Sequence, residues 1–322
     1  MFSLKKGRRI AFVKGGIYHG KTVRLNEENT KKCCDKCGEY STSSKYCCKD
    51  SKKGKCGLCS KQSKKMKNIH KKGQKLYNKG AEPSMIEFIV QQEISKALKD
   101  DKKDMKFKDG KLIPLVNPKM RESLYISAPA GAGKSVYASK YAKIYKHMFP
   151  ENSIILFSAK NKDPAFDKLK YKGEHFITRV KLDETYLEDP LQAKDLVSTL
   201  CIFDDVDFIT DKDLKKEIIQ LREKLLGEGR ADETYVIITT HIMNNGNQTK
   251  LPLAEASSIT FFPQGGDKYH CEETLKRYCG FKKKMIDHIM KLPSRWVTVY
   301  KRYPNYILHE GGCFMANIEQ EL

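Results

Sequence analysis

The sequence predicts an α/β fold in which helices flank a mostly parallel sheet. Three observations predict it: apolar runs that do not alternate with polar residues, segments of helical character between those runs, and a glycine-rich turn after the first run. Uninterrupted apolar runs are typical of parallel strands that are covered on both faces. A chain of 322 residues is long enough for one such domain and a smaller module.

The strands of this domain are predicted from short apolar runs, and the main helix from the segment that follows the turn. We expect a helix over Ser135–His147 and an antiparallel hairpin formed by Arg295–Tyr300 and Tyr306–His309, on the sheet edge or packed beside it. The predicted parallel strands are Leu124–Ser127, Ser153–Ser158, Leu200–Phe203, Tyr235–Thr239 and Ile259–Phe262.

The front third of the chain has a different character. Residues 5 to 25 predict two short strands around the turn Gly15-Gly16, and a capping box of Ser84 and Glu87 predicts the start of a helix. The charged run Lys99–Lys108 is expected to be a solvated loop. We therefore predict a basic, cysteine-rich module and linker over residues 1–82, and an α/β domain over residues 83–322.

The charge of the chain is concentrated in this front third. The formal net charge is +21; residues 1–120 hold 31 Lys+Arg against 12 Asp+Glu, a balance of +19, whereas residues 121–322 hold 30 against 28, a balance of +2. Such a surface attracts a polyanion, of which nucleic acid is the commonest inside cells. An anionic membrane surface and a merely solvated lysine-rich face are the alternatives.

No segment approaches the roughly 18 to 20 apolar residues that a membrane-spanning helix needs. The amino-terminal residues carry charges without an apolar stretch behind them, so no export signal is predicted. We expect an intracellular, soluble protein whose eleven cysteines are metal ligands or reduced thiols.

The segment from Ala128 to Ser135, APAGAGKS, has the pattern of a phosphate-binding loop in which alanine replaces the first glycine. Its backbone N–H groups and the following helix N-terminus would surround phosphate oxygens. Lys134 would contact the β- and γ-phosphates, and the Ser135 hydroxyl would bind Mg²⁺. The predicted nucleotide-binding residues are Ala130, Gly131, Ala132, Gly133, Lys134, Ser135, Val136 and Asp204. A glycine-rich turn that binds nothing is the alternative.

Two carboxylates end the apolar strand Cys201-Ile202-Phe203, as in the acidic motif that accompanies a phosphate loop. Asp204 would hold Mg²⁺, mostly through water, and Asp205 is positioned to act as general base toward the attacking water. Asp207 is a weaker candidate for that base. A helix cap or turn is the alternative for the Asp-Asp pair.

Three further residues are candidates for catalytic roles. Thr240 and His241 follow the strand Tyr235–Thr239 and could sense the γ-phosphate, unless they only cap the strand. Arg230 is the first candidate for an arginine that neutralises charge in the transition state, and Arg222 is the second. A surface arginine is the alternative.

A cysteine cluster indicates zinc in the front module. Cys34, Cys37, Cys56 and Cys59 form two CxxC pairs separated by 18 residues, the spacing of a zinc ribbon with four thiolate ligands. Cys33, Cys47 and Cys48 leave other ligand sets open, and a loop of reduced thiols is the alternative. The zinc would be structural and would order a basic module that holds lysines against DNA or docks a partner.

The region from about 120 to 310 resembles the FtsK/HerA-type ATPases, within the ASCE or RecA-like class of P-loop NTPases, and most closely the DNA-packaging ATPases of large DNA viruses. The segments that carry the resemblance are APAGAGKS, IFDDVD, LLGEGR, VIITTH and ITFFP. Ala128 and Asp205 depart from the commonest pattern, which has glycine and glutamate there.

This resemblance implies an oligomeric, ring-forming motor that hydrolyses ATP with Mg²⁺ to move double-stranded DNA. It also implies a capsid or other viral protein as a possible partner, and a location in the host cytoplasm, a virus factory or the virion. A helicase or replication factor is the first alternative function. A regulatory NTP-binding switch with little hydrolysis is the second.

Overall fold

In a computed structural model of the chain, the described residues are 2–4, 7–25, 31–32, 40–41, 78, 104–265 and 267–316. Contacts divide the chain into two units: residues 1–8 with 24–103, and residues 9–23 with 104–322. The predicted helix at Ser84 and the predicted boundary between residues 82 and 83 lie outside the described residues.

In the first unit, Phe2–Ser3 pairs antiparallel with the end of the strand Thr22–Leu25, and Lys31–Lys32 pairs with Tyr40–Ser41. In the second unit, residues 11–14, at the end of the strand Arg8–Lys14, pair antiparallel with Lys111–Pro114. The two strands predicted within residues 5 to 25 are therefore present.

A ten-stranded sheet forms the centre of the second unit. Its strands are β1 Asp104–Lys106, β2 Ser123–Ser127, β3 Ile154–Ser158, β4 Thr178–Lys181, β5 Leu200–Asp204, β6 Tyr235–Thr240, β7 Ser258–Phe261, β8 Val297–Tyr300, β9 Tyr306–His309 and β10 Gly312–Met315. They lie in the order β4-β3-β5-β6-β2-β7-β8-β9-β10-β1. The first six strands in this order are parallel to one another, and each of the last four is antiparallel to its neighbours.

The α-helices of the second unit connect these strands. They are α1 Lys134–Met148, α2 Pro164–Asp167, α3 Lys212–Glu228, α4 Asn247–Glu255, α5 Lys268–Cys279 and α6 Lys283–Met290. Short 3₁₀ turns cover Glu184–Leu187, Ala193–Leu196 and Val206–Phe208, and a small ribbon pairs Lys170–Tyr171 with Glu174–His175. No helix in the described part of the chain combines the length and the apolar character that crossing a bilayer requires.

The sheet is buried where the sequence predicted parallel strands. All five residues of β2 and of β5 are buried, and the rings of Phe157 and Phe203 stack with their centroids 4.8 Å apart. This burial on both faces explains why the runs contain no alternating polar residues. The mixed α/β fold with a large, mostly parallel sheet is confirmed, and the predicted carboxyl-terminal hairpin is β8 and β9.

One local prediction is wrong. Asp104–Lys106 lies within the run expected to be a solvated loop, yet it forms the edge strand β1 beside β10. Met105 is 9% exposed and packs inward, while the two flanking charged side chains point to solvent. Pairing with a distant strand overrides the local excess of charge.

Candidate active site

The candidate site lies at the carboxyl-terminal edge of the parallel strands. Strand β2 leads into the predicted phosphate loop, and helix α1 begins directly after it. Gly133 precedes this helix with a φ of 114°, and Gly131 has a φ of 77°. These positive φ values favour glycine, so the two glycines allow the loop to turn sharply into the helix N-terminus.

Strand β6 lies between β2 and β5, and its register brings the acidic motif to the same edge as the loop. Asp204 is the register partner of Thr239, and the Ala128 N–H donates to the Thr240 carbonyl over 3.1 Å. In parallel strands the carboxyl ends meet at one edge, which is where ligands bind in open α/β sheets. The loop and the acidic motif therefore share this edge.

Lys134 is buried, with its side chain 6% exposed. Its ammonium Nζ donates to the Ala128 carbonyl over 2.8 Å and lies 3.9 Å from Asp205 Oδ1. Burial lowers the pKa of Lys134, against the opposing effect of the nearby carboxylates. The ammonium is thus held inside the loop by one neutral carbonyl and one distant carboxylate.

Asp205 is the centre of the charged cluster. His241 Nε2 lies 3.1 Å from its Oδ2, and Lys160 Nζ lies 2.5 Å from the same oxygen. Burial raises the pKa of Asp205, but the bond from Lys160 and the charge of Lys134 outweigh it, so the pKa lies below its usual value. The residue has a φ of 50°, a left-handed conformation that aspartate tolerates better than most residues.

Asp204 is 1% exposed, and its Oδ1 accepts a hydrogen bond from the Thr239 hydroxyl over 2.8 Å. Lys160 Nζ lies 3.5 Å from its Oδ2. Burial and the negative charge of Asp205 raise the pKa of Asp204. Two adjacent carboxylates that draw a cation between them have the chemistry of a divalent metal site, and here the Lys160 ammonium provides that positive charge.

The structure brings some of the predicted site residues together. Lys134, Asp204, Asp205 and His241 are brought together, and Ser135 and Val136 are the next residues of helix α1. Ala130 and Gly131 are exposed, and Ala132 and Gly133 are half-buried, so the loop is open to a ligand on its outer side.

Thr240 and Arg230 have other surroundings. The Thr240 hydroxyl is within hydrogen-bonding distance of the Ile242 carbonyl and Tyr125 Oη, at 3.0 and 3.2 Å. Arg230 is exposed beyond the end of helix α3. The pKa of Arg302 is lowered mainly by the burial of Arg302 itself, and the charge of Arg230 lowers it further. Arg222, the second candidate, is 1% exposed and its guanidinium donates to the Gln248 carbonyl over 3.2 Å.

Three residues of the site were not predicted from the sequence. Lys160 bridges both carboxylates, Thr239 positions Asp204, and Arg295 Nε donates to the Ala132 carbonyl of the loop over 3.2 Å. Lys160 lies two residues beyond Ser158, the register partner of Asp204, so a lysine just past the end of a buried strand was the available signal.

The predicted zinc ligands Cys34, Cys37, Cys56 and Cys59 lie outside the described residues, so zinc binding stays a prediction from their spacing. In the described ranges, no group of three or more His, Cys, Asp or Glu residues is arranged to hold a metal ion. Cys201, Cys271 and Cys313 are buried free thiols, and Cys279 is half-buried.

Comparison with known proteins identifies a relative in a virophage. The chain is 34% identical over 218 residues to the uncharacterized protein V3 of Sputnik virophage. These aligned residues cover 66% of this chain and 84% of the virophage protein. No protein-family model matches the chain.

Solved structures resemble the chain only distantly. The genome packaging NTPase B204 from Sulfolobus turreted icosahedral virus 2, in complex with ATP-gammaS, has a TM-score of 0.42 and 12% identity, covering 59% of this chain and 96% of that chain. The cytoplasmic domain of the Thermomonospora curvata Type VII secretion ATPase EccC has a TM-score of 0.40 and 12% identity. The match covers 61% of this chain and 25% of the EccC chain.

Proposed function

The chain belongs to the same family as protein V3 of Sputnik virophage, and we propose that it is an ATP-hydrolysing motor that moves DNA. The proposal includes a FtsK/HerA-type mechanism in a homo-oligomeric ring, with viral genome packaging as its task. The observation that carries it is the convergence of Lys134, Asp204, Asp205 and His241 on one edge of the sheet.

The loop would bind the triphosphate through backbone N–H groups and Lys134. The ammonium now has a backbone carbonyl as its closest partner, and a phosphate oxygen would replace that neutral acceptor with a charged one. Because Lys134 is buried, its charge is poorly screened by solvent. This arrangement favours a dense anion over a neutral ligand.

The carboxylates fit Mg²⁺, since Asp204 is buried at the strand end and already attracts a cation from Lys160. Asp204 and the Ser135 hydroxyl would hold the ion. When bound, it would neutralise charge on the β- and γ-phosphates as the bond to the leaving group breaks.

Asp205 would accept the proton of the attacking water while that water's oxygen bonds to the γ-phosphorus and ADP leaves. Oδ2 is occupied by Lys160 and His241, whereas the contacts of Oδ1 are longer, 3.4 Å to the Thr239 hydroxyl and 3.9 Å to Lys134. Oδ1 is therefore the oxygen more open to water. The charge of Lys134 and the bond from His241 would hold the carboxylate in the ionised form that a base requires.

DNA is the proposed polymer because of the charge distribution. The balance of +19 in residues 1–120, against +2 in the remainder, gives the chain a basic portion for a phosphate backbone. Arg230, exposed beyond the end of helix α3, would act on the site of a neighbouring subunit in the ring.

The test is the ATPase rate of the full chain with and without double-stranded DNA, with Lys134→Ala as the inactive control. We expect DNA to raise the rate several-fold and Lys134→Ala to lower it at least about 100-fold in both conditions. Slow hydrolysis that ignores DNA would favour a regulatory NTP-binding switch. Stimulation by single strands alone would favour a helicase or replication factor.

A further inference from the structure

A hairpin near the amino terminus exposes an apolar side chain at its turn. The hairpin covers residues 9–23, which belong to the same unit as the α/β domain. Val13 donates its N–H to the Lys21 carbonyl and accepts the Gly20 N–H, both over 2.9 Å. Ile17, in the turn, is 88% exposed, more than any other large apolar residue in the described part of the chain. Single exposed apolar side chains are common, so the surroundings of Ile17 decide whether it has a role.

The turn is held in a fixed position. Gly16 has a φ of 66°, and a Cβ atom built on it would lie 2.9 Å from the Asp109 carbonyl carbon, so the turn lies directly against the residues that follow β1. The ring of Tyr18 meets the buried ring of Phe107 edge to face, with centroids 5.6 Å apart. This packing holds the turn in place while Ile17 faces solvent.

The surface around the turn is basic. Residues 9–23 contain three Lys+Arg and no Asp+Glu, and residues 104–111, on which the turn packs, contain three against two. Their combined balance is +4, whereas the 202 residues from 121 to 322 have a balance of +2. Lys14 and Lys21 flank the turn and are exposed, and neither forms an ion pair with another described residue. The apolar side chain therefore lies between two unpaired positive charges.

A pair of opposing lysines indicates the kind of ligand. Lys14 and Lys111 are direct partners in the antiparallel pairing, and both side chains are exposed. Like charges in such positions destabilise a strand pair. Lys111 Nζ lies 3.4 Å from Glu310 Oε1, which offsets only part of the repulsion. A bound anion would remove the rest, so the arrangement favours a phosphate ligand.

The base of the hairpin is connected to the phosphate loop. Glu310, the partner of Lys111, also accepts the Arg295 N–H at its Oε2 over 3.2 Å. Arg295 Nε in turn donates to the Ala132 carbonyl of the loop over 3.2 Å. Two residues thus separate the hairpin strand partner from the candidate nucleotide site, which is a suitable place for the polymer-binding element of a motor.

We propose that this hairpin binds double-stranded DNA, with Lys14 and Lys21 contacting phosphates and Ile17 entering the minor groove against a base step. The inference rests on the proposed function, which takes DNA as the polymer. Proteins that bind the minor groove frequently insert an apolar side chain between base steps. An anionic membrane fits less well, because even a myristoyl chain gives only marginal membrane binding and one isoleucine removes much less apolar surface from water.

The experiment measures binding of the full chain to a short DNA duplex that carries 2-aminopurine at a central TA step, a step that unstacks easily. We expect wild type to raise the 2-aminopurine fluorescence, because the inserted side chain separates this base from its neighbour. Ile17→Ala should abolish most of that rise and leave the salt dependence of the affinity unchanged, since no charge is removed. Val197→Ala is the matched control, at an apolar residue that is 53% exposed elsewhere in the domain, and should retain the rise.

The lysines are tested by the salt dependence of the affinity for the same duplex. In the double variant Lys14→Ala, Lys21→Ala, the slope of log affinity against log salt concentration should fall in magnitude by about 1.8, because each phosphate contact contributes about 0.9. The control is Lys168→Ala with Lys194→Ala, two exposed lysines elsewhere in the domain, which should keep the wild-type slope. An equal slope in the two double variants would overturn the assignment of the hairpin.

Outcomes with wild type separate this inference from the proposed function. Binding of the duplex without a rise in 2-aminopurine fluorescence would overturn the insertion of Ile17 while DNA stays the proposed polymer. No binding of the duplex would overturn DNA as the polymer of the motor. Vesicles that contain phosphatidylserine are the third probe, and binding to them but not to DNA would assign the hairpin to a membrane surface instead. These outcomes need no variant, so they hold even if a variant folds poorly.

Discussion

The two ends of the parallel strands both contain buried charges, but these charges have different kinds of partner. At the amino-terminal end, Arg121 donates to the carbonyls of Leu225, Leu226 and Thr234, and the Glu122 carboxylate accepts from Tyr141 Oη over 2.6 Å. At the carboxyl-terminal end, Asp204 and Asp205 pair with the ammonium groups of Lys160 and Lys134, and His241 Nε2 lies 3.1 Å from Asp205.

This difference in partners indicates that the amino-terminal end of the strands stabilises the fold and that the carboxyl-terminal end binds ligands. Backbone carbonyls and a buried hydroxyl are fixed partners, so the charges at the amino-terminal end hold neighbouring elements together. Side-chain cations such as Lys160, which is half-exposed, can move away when a ligand or metal ion arrives. The same sheet thus carries a structural edge and a binding edge.

The largest effect on stability is expected from Arg121→Met. Arg121 donates to two of the last carbonyls of helix α3 and to the carbonyl before β6, so its loss removes three buried hydrogen bonds, and only the Leu225 carbonyl keeps a partner shown here, the Gly229 N–H. We expect the free energy of unfolding to fall by about 3 kcal/mol in urea titrations. ATP turnover of the folded fraction should stay within about twofold of wild type.

The matched control is Arg302→Met, because Arg302 donates to the Arg121 carbonyl through a single bond of 2.9 Å. Its loss should cost about 1 kcal/mol. If Arg121→Met were as stable as wild type but could not bind ATP, the division between the two edges would be wrong.

At the binding edge, Lys160→Met is expected to have a smaller effect, an increase in the affinity for a divalent metal ion. The Lys160 ammonium lies between the carboxylates that would hold a divalent ion, so its removal takes away a competing positive charge. We expect the nucleotide-free chain to bind Mn²⁺ up to about tenfold more tightly, as measured by electron paramagnetic resonance. The half-exposed position of Lys160 limits the gain, since solvent screens part of its charge.

Lys162→Met is the control for this measurement, because Lys162 is an exposed lysine of the same loop. It should leave the Mn²⁺ affinity unchanged. An equal affinity for Mn²⁺ in both variants would mean that the Lys160 ammonium does not compete with the metal ion for the carboxylates.

The sequence predicted those parts of the site that lie within one short segment. The phosphate loop and the Asp-Asp pair each follow a buried strand, and their spacing alone indicated Lys134, Asp204 and Asp205. Contacts that depend on the order of strands were missed. Lys160 reaches the carboxylates because β3 is the neighbour of β5, and no local pattern indicates that adjacency.

Register explains the difference between Thr239 and Thr240. Successive residues of a strand point to opposite faces, so only one of the two hydroxyls can reach the acidic pair. The structure places Thr239 beside Asp204, while the role of Thr240 as a sensor of the γ-phosphate stays a prediction. The edge strand β1 was missed for a related reason, because its partner β10 is about 200 residues away along the chain.

The measurement that tests the account most directly is the comparison of Asp205→Asn with wild type for both ATP turnover and ATP affinity. We predict that kcat falls at least about 100-fold while the dissociation constant for ATP changes by less than about threefold, because the base is lost and the loop is kept. Asp207→Asn, at the neighbouring half-buried aspartate, should retain most of the turnover. Wild-type turnover in Asp205→Asn would contradict the assignment of this edge of the sheet as the hydrolytic site.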